Sequence, residues 1–339
     1  MRKHLSRLAL ILALSAAPLD FGEFSRAAAS QIEPAAATQA ATSEPANLEP
    51  RHTTLLADRP AALELKRAKT GHLLVRTRLN DQDAGSFILD TGAGMNCIDK
   101  SLAERLNLPD LGEVEAKGMG GSAAARFRKY DSLALGPVRL DDGKIVELDL
   151  KPYGLLMGDT ISGIIGNETF QAGVFEIDMS VGTACVKPAD GYALDAGATW
   201  QPITFKGRRP FVAGKIEGHD EGLFLLDCGA NGALVVHAPT VKKFDLLKDR
   251  TTKLALSGGV GGIKATPAGT VSAFILAAQQ LSEVSAVFSK ATDGLTSDDS
   301  TQGTVGMDVL KQFRLIVDYP HERVALIPHS TPSTRPTAP

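Results

Sequence analysis

Cysteine and aromatic residues are scarce in this chain of 339 residues: three Cys, one Trp and four Tyr. The thiols Cys97, Cys185 and Cys228 are too few for a disulfide framework, their spacings match no zinc site, and an odd count leaves one unpaired within a monomer. Seven histidines form no His-Glu-x-x-His or other paired-ligand spacing, so they read as solvated or lightly buried, and neither metal nor other cofactor is expected. Neither sign of charge dominates. The net charge is −3 and the pI about 6.2, which provides no electrostatic basis for holding nucleic acid or an anionic membrane surface. "GGVGGIK" (258–264) is no phosphate loop, because Ile263 separates the last glycine from Lys264.

Glycine, by contrast, is plentiful at 33 residues, which suggests many turns and few long helices. A hydrophobic fraction of 43% and a charged fraction of 22% are ordinary for a globular protein. The basic "MRKHLSR" and the apolar "LALILALSAAPL" (8–19), too short to span a bilayer, read as a signal peptide over residues 1–29. Residues 30–62, rich in Ala, Pro, Ser and Thr, read as a disordered leader, and 329–339 as a disordered tail. These segments imply export to the periplasm or medium, with no stable membrane insertion after processing.

The interior of the chain repeats itself. "AGSFILDTGAGMNCID" (84–99) and "EGLFLLDCGANGALVV" (221–236) share one layout: a turn, an apolar run, then Asp-x-Gly-Ala. "GMGG" (118–121) returns as "GVGG" (259–262), and "GIIGNETFQAGVFEIDMS" (163–180) as "GTVGMDVLKQFRLIVDYP" (303–320). All three pairs fall at offsets of 137 to 141 positions. Each half reads as short strands such as "KIVELDL" and "FEIDM", with brief helical pieces. Ser101 with Glu104 looks like a capping box, and Asn167, in a glycosylation-type triplet, like a helix cap. "TSDDS" (296–300) reads as an exposed acidic loop.

On "ILDTGA", "LLDCGA", "IIG" (164–166) and "TVG" (304–306), the chain resembles retropepsin-like and pepsin-like aspartic proteases of the single-chain, duplicated kind. The resemblance covers roughly residues 65–328. It implies an all-β, two-lobed fold formed by internal duplication, with the active-site cleft between the lobes. The N-terminal lobe would span residues 63–192, the connection 193–209 and the C-terminal lobe 210–328. Asp90 and Asp227 would be catalytic, one from each lobe. Two carboxylates that share a site cannot both ionise, so one takes a proton from water while the other donates one to the peptide carbonyl. Either motif alone reads more readily as an Asp-x-Gly turn ending a strand. The repetition separates the two readings.

The same resemblance makes Thr91, Gly92, Ala93, Cys228, Gly229 and Ala230 the supporting loops. The glycine stretches Gly118, Met119, Gly120, Gly121 and Gly259, Gly261, Gly262 become flaps over an extended peptide or protein substrate. A monomer suffices to build the site. In the family a Thr or Ser after each catalytic Asp grips the opposite loop. Thr91 fits, whereas Cys228 has a larger, weakly donating S–H and would make the grip lopsided. The alternative is therefore an impaired peptide-binding pseudoprotease. Cys228 itself reads as a small, inert buried side chain rather than a redox thiol. Ala93 and Ala230 stand where pepsin-like members often carry a hydroxyl, which points to a mildly acidic optimum.

Overall fold

The computed structural model describes residue 50 and residues 52–329, plus the backbone of Leu8–Ala9 and Ala13–Ser15. The fold is all-β, with 51% strand against 11% helix, consistent with an aspartic protease fold. Most of the signal-peptide and leader segments, and residues 330–339, lie outside the described residues.

Two large sheets follow one strand order. The N-terminal sheet runs Asp110–Gly118, Gly121–Leu135, Val138–Leu148, Cys97–Asp99, Gly163–Ile165, Gln82–Leu89, Leu73–Leu79 and Leu65–Arg67. The C-terminal sheet runs Lys253–Gly259, Gly262–Leu276, Gln279–Phe288, Leu234–Val236, Gly303–Val305, Gly222–Leu226, Arg209–Ile216 and Thr204–Lys206. Both curl back on themselves: Leu133 and Ala134 meet Leu79 and Arg78, as Gly214–Ile216 meet Leu276–Phe274. A third, antiparallel sheet joins the two halves, with Val174–Asp178 paired to Phe313–Asp318 at its centre.

The placement of the two Asp-x-Gly turns follows from the apolar runs before them. Phe87, Ile88 and Leu89 are fully buried, as a strand must be when both its faces are covered. They pair in parallel with Gly163–Ile165, and Asp90 N–H donates to the Ile165 carbonyl at 3.1 Å. Phe224–Leu226 pair likewise with Gly303–Val305, and Asp227 N–H donates to Val305 at 3.0 Å. Each aspartate therefore leaves its strand at the point where a parallel neighbour ends. Beneath the turns, Phe170, Phe175, Phe205 and Tyr319 pack edge-on or tilted, with ring centres 4.8 to 5.2 Å apart.

Several expectations are revised. Within residues 52–62 of the expected disordered leader lie two short strands, because open sheet edges offer backbone partners. His52–Leu55 pairs with Val138–Asp141, and Ala61–Ala62 with Cys185–Val186. The expected connection contains strands Gln201–Pro202 and Thr204–Lys206, and Arg209 already opens the next. Asp99, not Ser101, caps the first helix, accepting from Ser101 N–H at 3.0 Å. Asn167 is the first residue of its helix, makes no cap bond and is buried. The "TSDDS" loop is only partly exposed: Leu295–Ser297 is a 3-10 turn with Thr296 buried.

Candidate active site

Asp90 and Asp227 are brought together with no exposed surface. Both turns use glycine because the carboxyls cross over the opposite backbone. A Cβ on Gly92 would lie 2.5 Å from Asp227 Cγ, and one on Gly229 would lie 2.4 Å from Asp90 Cγ. Neither distance admits a side chain. Asp90 accepts from Gly92 N–H at 2.8 Å, but its Oδ2 and both oxygens of Asp227 have no donor from the protein. Burial pushes the Asp90 carboxyl well above its usual range, and the neighbouring Asp227 adds to that. Burial likewise raises Asp227 to about 7, against the pull of the adjoining Asp90 carboxyl, of the Gly229 and Ala230 backbone N–H groups, which lie close without completing a hydrogen bond, and of the Arg209 charge. The two carboxyls interact, so their two titration steps belong to the pair rather than to either residue.

Thr91 and Cys228 interlock beneath the dyad. The Thr91 hydroxyl donates to the Leu226 carbonyl at 2.9 Å and accepts from Cys228 N–H at 3.0 Å. Cys228 completes the same pattern in reverse: its sulfur accepts from Thr91 N–H at 3.3 Å and donates to the Leu89 carbonyl at 3.2 Å. The lopsided grip expected from the sequence is therefore a complete one, because a thiol reaches both partners at distances normal for sulfur. Burial pushes the thiol up to about 12, so it stays protonated and supplies the S–H that Leu89 needs.

The glycine stretches close the site from above. Residues 119–120 and 260–261 form the tips of two hairpins, and Gly120 N–H donates to the Val260 carbonyl at 3.0 Å. The tips touch backbone to backbone: a Cβ on Gly120 would meet the Gly262 carbonyl oxygen at 2.1 Å. Each tip also crosses over. Met119 is buried among Phe211, Leu225, Ala230 and Val235 of the C-terminal half, and Val260 among Ile88, Ala93, Cys97 and Ile164 of the N-terminal half. Outer strands of both hairpins accept an extended chain. Leu8–Ala9 pairs in parallel with Ala116–Lys117, and Ala13–Ser15 antiparallel with Ser257–Gly259.

Several residues at the site were not assigned to it from the sequence. His72 Nε2–H donates to the Gly229 carbonyl at 2.9 Å, while its Nδ1 accepts from Thr70 at 2.7 Å. Tyr319 O–H donates to the Thr91 carbonyl at 2.9 Å. His237 is held between Thr301 and Thr304 at 2.9 and 3.1 Å, and Thr304 donates onward to Met119 Sδ at 3.7 Å. Both histidines are buried rather than solvated, and burial lowers each to about 4. Arg208 reaches Glu168 of the N-terminal half at 3.4 Å. The repeat itself carried a usable signal, since His72 and Arg209 stand at the same 137-residue offset as the two aspartates.

A family model described as aspartyl protease matches residues 75–169. The matched stretch includes Asp90, the first glycine hairpin and Ile164–Gly166, and it supports an aspartic protease family. No curated protein matches the chain. Among the described residues there is no metal-binding group of side chains, and no helix long and apolar enough to cross a membrane.

Proposed function

We propose that the chain is an aspartic endopeptidase, exported and monomeric, whose two halves arose by duplication and contribute one catalytic aspartate each. The supporting observation is the buried Asp90–Asp227 pair with three carboxyl oxygens that no protein group satisfies. Groups left so are costly unless a shared proton and a bound water complete them. The ionised member takes a proton from that water, the protonated member donates to the peptide carbonyl, and hydrolysis proceeds without a covalent intermediate. An extended peptide suits the hairpin strands, which already pair with extended chain at Ala116–Lys117 and Ser257–Gly259. Opening of the touching tips admits it.

Incubation with a diverse peptide mixture tests the reading. Cleavage is expected to follow a bell-shaped kcat/KM profile whose acid limb lies near pH 7, because the general base must ionise and burial raises Asp227 to about 7 and Asp90 well above its usual range. A peak below about pH 3, the range open to strongly acid dyads, would contradict the geometry.

The intact bonding of Cys228 supports an active enzyme over an impaired one. Cys228→Thr is expected to change kcat/KM by less than about tenfold, since a hydroxyl would replace like contacts at a small net gain of about 1 kcal/mol per bond. A gain of a hundredfold or more on the same peptides would favour the pseudoprotease instead.

A further inference from the structure

The frame around the dyad is nearly symmetric, and its clearest departure from symmetry is a cation. In the N-terminal sheet Leu74 pairs with Ile88, and two residues further along that register His72 falls opposite Asp90. In the C-terminal sheet Phe211 pairs with Leu225, and the same step sets Arg209 opposite Asp227. Alternation puts the Arg209 side chain on the face shared by Phe211, Leu225 and Asp227, with its guanidinium carbon 6.0 Å from the centre of the Phe211 ring.

The two counterparts differ in charge. His72 is neutral, its Nε2–H given to Gly229 and its Nδ1 filled by Thr70. Arg209 keeps its charge at every pH relevant to the site, although burial lowers it to about 10. It is 6% exposed, Nε donates only to the Lys206 carbonyl at 3.4 Å, and Nη1 has no protein partner. The charged or titratable groups that face it are Asp298, Asp227 and His237. Asp298 is an ionised carboxylate whose Oδ1 accepts from the N–H and hydroxyl of Ser300, at 2.9 and 2.7 Å, and His237 is neutral. Arg208 beside it is turned away to Glu168. Asp298 and Asp227 share its field, and of the two carboxyls of the dyad it is Asp227 that the Arg209 charge pulls down.

We propose that Arg209 is a positioning residue that breaks the equivalence of the two carboxyls, holding the negative charge on Asp227 and the proton on Asp90. The proposal deepens the endopeptidase reading and rests on it for its catalytic consequence. Asp227 then takes the proton of the attacking water as its oxygen bonds to the peptide carbon, and Asp90 gives its proton to the carbonyl oxygen. When the tetrahedral adduct breaks its C–N bond, the amine leaves with the proton from Asp227, and Asp90 recovers one from the adduct's hydroxyl. The enzyme ends as it began.

Carboxyl titration by infrared or 13C-aspartate NMR, without substrate, tests the charge assignment. In Asp90→Asn, which isolates Asp227, adding Arg209→Met is expected to raise the titration midpoint by about one pH unit or more, as loss of an adjacent cation does. Arg209→Lys should return most of that shift. In Asp227→Asn, which isolates Asp90, the Met substitution should move the midpoint by less than half as much. In the intact dyad, Arg209→Met should carry the acid limb of the kcat/KM profile, which follows Asp227, to higher pH by more than the basic limb, and Arg209→Lys should bring it back. Equal displacement of the two carboxyls, or none, overturns the proposal. A wild-type chain that titrates as described yet cuts no peptide sinks the endopeptidase reading and not the charge assignment.

Discussion

Asp90→Asn and Asp227→Asn are each expected to lower kcat/KM for an extended peptide by about a thousandfold or more, with the fold intact. Each carboxyl has a separate duty, and removing an acid or a base typically costs two to four orders of magnitude, about 3–5 kcal/mol. An ester of the same sequence provides a second readout, since it needs less help at its leaving group. Stability should move the other way. A carboxyl whose folded-state pKa is raised above its unfolded value contributes stability that is fully present below about pH 3.8. That contribution is lost as the pH rises toward about 7, where Asp227 titrates. Asparagine escapes the loss. The melting temperature of either variant should therefore exceed that of the wild type at pH 8, and the difference should shrink toward pH 3.5. Near-wild-type cleavage by either variant would remove the paired-carboxyl mechanism, whatever the melting curves show.

Gly92→Ala and Gly229→Ala should be nearly as damaging, although alanine adds a single methyl group. Its Cβ would lie 2.5 Å from Asp227 Cγ in the first case and 2.4 Å from Asp90 Cγ in the second, well inside van der Waals contact. The obstacle is the carboxyl group of the opposite aspartate, which is fully buried and has no solvent to swing into. One turn must withdraw from the other, and a misplacement of about 1 Å costs on the order of a hundredfold in rate. It would also strain the bonds between Thr91 and Cys228 directly below. Loss of both activity and several degrees of melting temperature is expected, measured by peptide cleavage and calorimetry. Wild-type behaviour in both variants would mean that the carboxyls do not approach so closely.

The legible part of the site was whatever repeats. Asp90 and Asp227, the glycines beside them and the two hairpins announced themselves by recurring at nearly one spacing, a periodicity that needs no knowledge of distance. Cys228 shows the limit of that method. Its residue type suggested a broken grip, yet the sulfur meets Thr91 N–H and the Leu89 carbonyl, because hydrogen-bond competence depends on where neighbours stand as well as on side-chain chemistry. His72 and His237 looked solvent-facing for a similar reason: no local pattern tells a buried imidazole with two partners from an exposed one. Strands at 52–62 were hidden because their partners lie more than 80 residues away, and composition there favours disorder.

Taken alone, the order of residues determined a β-rich chain, the two acidic turns and the glycine hairpins that answer one another, because short-range chemistry and repetition are written along the chain. Tertiary structure alone decided that the two carboxyls lie together out of contact with the surface, that each hairpin tip buries its apolar side chain in the opposite half, and that one aspartate has a cation for a neighbour where the other has a neutral imidazole. Proximity and desolvation belong to folded space. They set the proton affinity of a carboxyl more strongly than any adjacent residue in the chain can.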